Sequence, residues 1–145
     1  MVHHHMIKQI SVFSENRPGR LAKMSRALQE EDINMLAFSI AEADGFGVIR
    51  ALVDQPDRAY RKLTDLGFTV STTEVIAVEM RDEPGGLGEV ASILEEADIN
   101  IEYSYAYSGK RAAVLILRVD RVEEAIRRLL NRGAHLLEES DFLTE

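Results

Sequence analysis

The chain has 145 residues, of which 46% are hydrophobic, with a formal net charge of −8 and no cysteine. That length fits one ordinary domain or two very small ones with enough apolar content for a core. The charge argues against any nucleic acid partner, and the missing cysteines exclude disulfides, thiolate catalysis and cysteine-ligated metals.

No apolar run approaches the roughly 20 residues that span a bilayer, and no signal region opens the chain, so no membrane association and a cytoplasmic location are expected. Residues 1–6, "MVHHHM", hold three of the four histidines and read as a leader or an expression remnant. Residues 7–14 then alternate, with Ile10 and Val12 on one side and Gln9 and Ser11 on the other, the period of a strand. Pro18 marks a helix start, at the first helical position, where its missing N–H costs nothing. Leu21, Met24, Ala27 and Leu28 line one face of that helix, Arg20, Lys23, Arg26 and Glu30 the other, and it ends near Glu31. Residues 33–43 and 46–54 read as strands joined by Asp44-Gly45, a dipeptide that tolerates positive φ at both positions and so favours a tight hairpin. A helix over 56–66, with Pro56 in its first turn and Gly67 to end it, and a strand over 68–74 follow.

The same order then recurs: strand 75–81, helix 84–97, strands 99–107 and 111–119, helix 121–132 and strand 134–139. The recurrence is literal. An offset of 66 residues sets Pro18 on Pro84, Gly19 on Gly85, Leu21 on Leu87, Asp32–Asn34 on Asp98–Asn100, Val53–Asp54 on Val119–Asp120 and Gly67 on Gly133, with no gap. Such repetition defines the structural unit. It predicts an α+β, ferredoxin-like fold: two tandem βαββαβ domains, residues 7–74 and 75–145, each an antiparallel four-stranded sheet with its two helices on one face. The other face is bare, yet residues 112–117 are apolar on both sides of their strand, so either the two halves or two chains are expected to pack sheet against sheet or edge to edge, with a homodimer as the expected assembly.

Each "PG" turn leads into a helix whose first amides carry partial positive charge, a seat for a small anion such as a carboxylate; the alternative is a turn that holds nothing. Asn16 and Asp82, two residues before the prolines, either cap the helices or hold an ammonium group. Asn34 and Asn100 either make the helix-to-strand turn, where Asn tolerates left-handed angles, or reach toward a Pro-Gly loop.

The order βαββαβ, with "ENRPGRLAKMSRALQEEDIN" and "DEPGGLGEVASILEEADIN", resembles tandem ACT-domain proteins over about residues 7–139. These are small regulatory modules that bind amino acids. The resemblance implies ligand contacts from the loop after the first strand and the start of the second, between modules: Asn16, Gly19, Arg20, Leu21 and Asn34 in the first half, Asp82, Gly85, Gly86, Leu87 and Asn100 in the second. The halves differ at Arg20 against Gly86 and Arg17 against Glu83, so their sites are not equivalent, and the second-half loop, left open by Gly86, reads as the better seat.

Tyr103, Tyr105 and Tyr107 share one strand face, which suits packing or a pocket lining better than base stacking. Arg50 interrupts an apolar strand and is an interface or ligand candidate, and His135 reads as structural. No nucleophile with its base, phosphate loop or spaced metal ligands appears, so neither catalysis nor a cofactor nor a metal is expected. The expected function is a non-catalytic regulator binding an amino acid, as a homodimer or through a regulated metabolic enzyme. The alternatives are a ligand-free interaction module and an acylphosphatase-like hydrolase using Arg20 and Asn34.

Overall fold

A computed structural model of the protein describes residues 2–142. Ten regular elements follow a short 3-10 turn: β1 (Ile7–Glu15), α1 (Arg20–Glu30), β2 (Met35–Ala43), β3 (Phe46–Val53), α2 (Pro56–Asp65), β4 (Thr69–Met80), α3 (Gly86–Glu96), β5 (Ile101–Ser108), β6 (Ala113–Val119) and α4 (Val122–Asn131). The chain divides into two compact units, Lys8–Thr73 and residues 74–142 together with residues 2–7.

In the first unit β3 lies antiparallel between β1 and β2, with Ile10 opposite Ala51, Val12 opposite Ile49 and Ile40 also opposite Ile49. The amphipathic faces of α1 and α2 bury Met24, Ala27, Leu28, Ala59 and Leu63 against that face of the sheet. Fully burying a side chain such as Leu63 stabilises the fold by about 1.5–3 kcal/mol. The second unit repeats the scheme, Ile76 facing Leu117 and Val78 facing Leu115 across β4 and β6, under Leu94, Ala125, Ile126 and Leu129.

Two separate four-stranded sheets do not form. The six strands are hydrogen-bonded in the order β2-β3-β1-β4-β6-β5. The expected strands 68–74 and 75–81 are one uninterrupted strand, because "TVSTTEVIAVEM" is rich in β-branched residues and contains no Gly or Pro to break it. The expected strand 134–139 shrinks to a bridge between Val78 and Leu136, after which the chain enters a 3-10 turn, Glu139–Phe142, that buries Phe142.

Three local features add detail. Gln9 and Ser11, on the strand side opposite Ile10 and Val12, are buried too, with Gln9 Nε2 donating to Ser11 Oγ at 3.4 Å. Val114 and Ile116, on the sheet face away from the helices, are buried within the single chain. Residues 2–5 form the 3-10 turn, with Val2 and Met6 packed on the second core and His5 Nδ1 at 3.4 Å from the Leu137 carbonyl.

The two Pro-Gly segments are type II turns lying outside the helices. Gly19 and Gly85 take φ of 91° and 93°, and the amides of Arg20 and Gly86 close onto the carbonyls of Arg17 and Glu83 at 3.3 and 3.0 Å. Proline therefore occupies the second turn position, not the first helical one. The Asp44-Gly45 hairpin forms as expected, with φ of 53° and 85°.

At Gly86 an added Cβ would collide with the carbonyl oxygen of Arg81, whereas at Gly88 it would meet nothing within 4 Å. Gly86→Ala is expected to lower stability by about 1–3 kcal/mol, because the obstacle is backbone. Gly88→Ala is expected to raise it by about 0.5–1 kcal/mol, as alanine replaces glycine in a helix. Urea denaturation of the two variants gives both values; equal effects would show that the Arg81 carbonyl imposes no constraint.

Candidate functional site

β1 ends at Glu15, and the turn at Arg17–Arg20 folds the chain back into α1 over the helix-bearing face of the sheet. Below that turn lies a cleft of about 380 Å³, walled by residues 14–22 and floored by Ile40, Gly47 and Ile49. Its position depends on the β2–β3 hairpin. The left-handed turn at Asp44-Gly45, held by Gly45 N donating to Glu42 Oε2 at 2.7 Å, presents the Gly45 carbonyl to the Asn16 amide at 2.9 Å.

Gly19 is the residue before α1, and Lys23 N donates to its carbonyl at 2.9 Å; no side chain caps the helix. Among the described residues the next two amides, those of Leu21 and Ala22, meet no acceptor. They stand at the positive end of an 11-residue helix, in residues that line the cleft. Arg20 is half-buried beside them. Its Nε donates to Ser14 Oγ at 2.7 Å, and its guanidinium lies 5.1 Å from the centre of the Phe68 ring, with the Lys23 ammonium at 5.5 Å. The region thus combines unpaired donors, the cations Arg17, Arg20 and Lys23, one acid at Glu15, and an apolar floor.

The second Pro-Gly turn has the same backbone and different surroundings. Gly86 is buried, its α-carbon packed on the Arg81 carbonyl, so the space beside it is filled by the protein's own backbone. Arg81 forms ion pairs with both Glu83 and Glu89 across the turn. Where residues 15–23 carry three cations and one acid, residues 81–89 carry one cation and three acids. A second cleft, of about 360 Å³, lies between α3 and residues 132–135. Gly86 lines it; Asp82, Gly85 and Leu87 do not.

Of the ten residues singled out from sequence, Asn16, Gly19, Arg20 and Leu21 come together in the first cleft. Asn34 does not join them. It sits past the other end of α1, about 16 Å of helix away, where Asn34 N donates to Asp54 Oδ1 at 3.0 Å and its carbonyl accepts from Asp54 N at 3.1 Å. Asn100 and Asp120 repeat the pair. The left-handed angles there fall on Asp32 and Asp98, φ 56° and 57°, not on the asparagines. The acylphosphatase-like pairing of Arg20 with Asn34 is therefore not formed.

Asn16 and Asp82 make no helix cap. Arg50 lies between Ser11 and Ser39 in register, and Tyr105 and Tyr107 lie opposite Ile116 and Val114. His135 Nε2 is 3.0 Å from Arg111 Nη2 and 3.8 Å from Glu79 Oε1. Displaced proton affinities occur on helix surfaces: the Lys62 ammonium is raised by its bond to Glu30, and the Glu124 carboxyl is lowered by its bond to Arg128. Sequence reasoning missed the floor of the cleft, Ile40 and Ile49, and the Ser14 anchor of Arg20. The period-two pattern marks Ile49 as inward-facing, but which inward positions a helix leaves uncovered is a packing property.

A family model described as "ACT domain pair" matches residues 5–144. No curated protein matches. Among solved structures, protein BT0572 from Bacteroides thetaiotaomicron is similar at 34% identity with a TM-score of 0.91, covering 97% of this chain and 98% of that one. The regulatory subunit of aspartate kinase from Thermus thermophilus, in its ligand-free form, has 17% identity, a TM-score of 0.64 and coverage of 87% and 91%. The corresponding subunit from Thermus flavus has 15% identity, a TM-score of 0.59 and coverage of 86% and 90%. The last two show likeness of fold. Among the described residues no helix is long and apolar enough to cross a membrane.

Arg20 is bonded on two sides and Arg17 is exposed. Arg20→Ala is expected to cost about 1–2 kcal/mol, from one hydrogen bond and one cation–π contact, and Arg17→Ala less than about 0.5 kcal/mol. Chemical denaturation checks both, and a neutral Arg20→Ala would remove the anchor assigned to Ser14 and Phe68.

Proposed function

The chain belongs to the ACT domain pair family, and we propose that it is a regulatory module whose ligand, an α-amino acid, occupies the cleft under the first Pro-Gly turn. ACT domains are regulatory ligand-binding modules, and the observation that carries the reading here is the conjunction of the two amides of Leu21 and Ala22 with the Arg20 guanidinium over an apolar floor. A carboxylate suits those donors, since charge-assisted bonds to backbone amides and to arginine are the strong ones. The ammonium group finds Glu15 and the Asn16 side chain on the same wall, and the ligand's side chain rests on Ile40 and Ile49.

This assignment moves the seat from the second half, where sequence alone pointed, to the first. The second turn offers a net negative surround and a buried Gly86, both unfavourable to a carboxylate. Ligand capture transmits a signal only through differential affinity for two states. The receiver is a metabolic enzyme or a second copy of this chain; the resemblance of fold to aspartate kinase regulatory subunits supports the former. The same chemistry does not require a catalytic group.

A thermal-shift panel of the twenty amino acids on the full chain tests the proposal. At least one is expected to raise the midpoint in a concentration-dependent manner, by about 2.7 kcal/mol of stabilisation at a hundredfold excess over Kd. Its carboxamide analogue should give no shift, and Arg20→Glu should abolish the response. A flat response to all twenty would overturn the ligand reading in favour of an interaction module, and a shift that survives Arg20→Glu would move the site elsewhere.

A further inference from the structure

The halves of a duplicated chain act as controls for one another, and one position differs in a way that opens space. In the first unit Phe68 follows the left-handed Gly67, its amide bonded to the Leu63 carbonyl at 3.0 Å. Its side chain is buried, 6% exposed, beneath Arg20 and Lys23. In the second unit Ala134 follows the left-handed Gly133, with its amide bonded to the Leu129 carbonyl at the same 3.0 Å. The backbone is conserved across the duplication, and the ring is gone.

The two cations over the ring are gone as well: Gly86 stands at the position of Arg20, and Glu89 at that of Lys23. In their place is the second cleft, of about 360 Å³. Its apolar surface comes from Val90 and from Met80, Ile93 and Ala134, which pack on the second core while remaining partly exposed. Its rim carries Glu79 and Glu89 with Arg81, Arg132 and His135. The arginines are already engaged, Arg81 with Glu83 and Glu89 and Arg132 with Glu96 at 2.5 Å.

We propose that this cleft binds a small aromatic cation, a single ring bearing a short-chain amine. The ring takes the volume that Phe68 fills in the first unit, lying on Val90, Ile93 and Ala134. The amine meets the Glu89 carboxylate, which is paired with Arg81 through one oxygen and offers its other oxygen to the guest, from the position at which Lys23 covers the ring in the first unit. Replacement of a cation by an acid at that position reverses the sign of the charge that a guest should carry, and the acid-rich segment 81–89 sets the same preference. The site differs from the first-unit cleft in location and in ligand charge, and it stands independently of the amino-acid reading.

The probes are 2-phenylethylamine, 3-phenylpropionate and n-butylamine, titrated calorimetrically into the full chain. The aromatic amine is expected to bind at least tenfold more tightly than either the aromatic acid or the ring-less amine. Ala134→Phe, which restores the first-unit side chain, should abolish that binding while keeping or raising the thermal midpoint; Ala134→Leu, with a smaller side chain, should weaken it at least tenfold and serves if the Phe variant does not fold. Glu89→Gln should weaken it several-fold, and Arg20→Glu should leave it unchanged. Absence of binding by the aromatic amine, a preference for the acid, or binding that persists in a folded Ala134 variant would overturn the proposal.

Discussion

The fold and its proposed site both turn on a left-handed glycine that follows a proline at the end of an opening strand. Gly19 and Gly85, at φ of 91° and 93°, let the chain reverse within four residues and start a helix across the sheet. An ordinary L-residue at that angle is strained, so glycine is what the geometry requires. The turn uses one amide to close itself, that of Arg20 or Gly86, and among the described residues the following two meet no acceptor. Those donors, at the positive helix end, are the chemical resource that a small anion meets.

Identical backbones have acquired different environments. In the first unit Arg20 braces the turn by bonding Ser14 and stacking on Phe68, keeping a cation beside the open amides. In the second unit Arg81 is tied into acids, Gly86 is pressed on the Arg81 carbonyl, and the ring that fills the first unit's interior is replaced by the methyl of Ala134. Cation and ring were exchanged together, as expected of groups that pack on each other. One copy is thereby suited to an anionic group at its turn, and the other to the proposed aromatic cation beside its helix.

Much of this was legible in the residues. The 66-residue offset exposed the duplication, period-two and helical spacing gave the strands and helices in order, and Asp44-Gly45 located the hairpin. The continuity of β4 had a signal, the β-branched run from Thr69 to Met80 with no Gly or Pro, but the repeat offset placed a unit boundary inside it and so split one strand into two. The loss of the last strand was hidden: "AHLLEE" has strand-like residues, yet its backbone pairs only near His135 and Leu137. At the site, Gly86 signals space when read as a residue type and contact when its neighbour is the Arg81 carbonyl. Asn34 was grouped with the Pro-Gly loop by resemblance, whereas its bonds to Asp54 hold it at the far end of α1.

The central claim is that the amides of Leu21 and Ala22 receive the carboxylate of an amino acid. Its most direct measurement is amide chemical-shift mapping by NMR on the full chain during titration with whichever amino acid raises the thermal midpoint. The account predicts that the largest saturable changes fall on the amides of Leu21 and Ala22, with the Arg20 side-chain Nε signal moving in parallel. Changes concentrated instead on Leu87 and Gly88, with residues 20–22 unmoved, would contradict it.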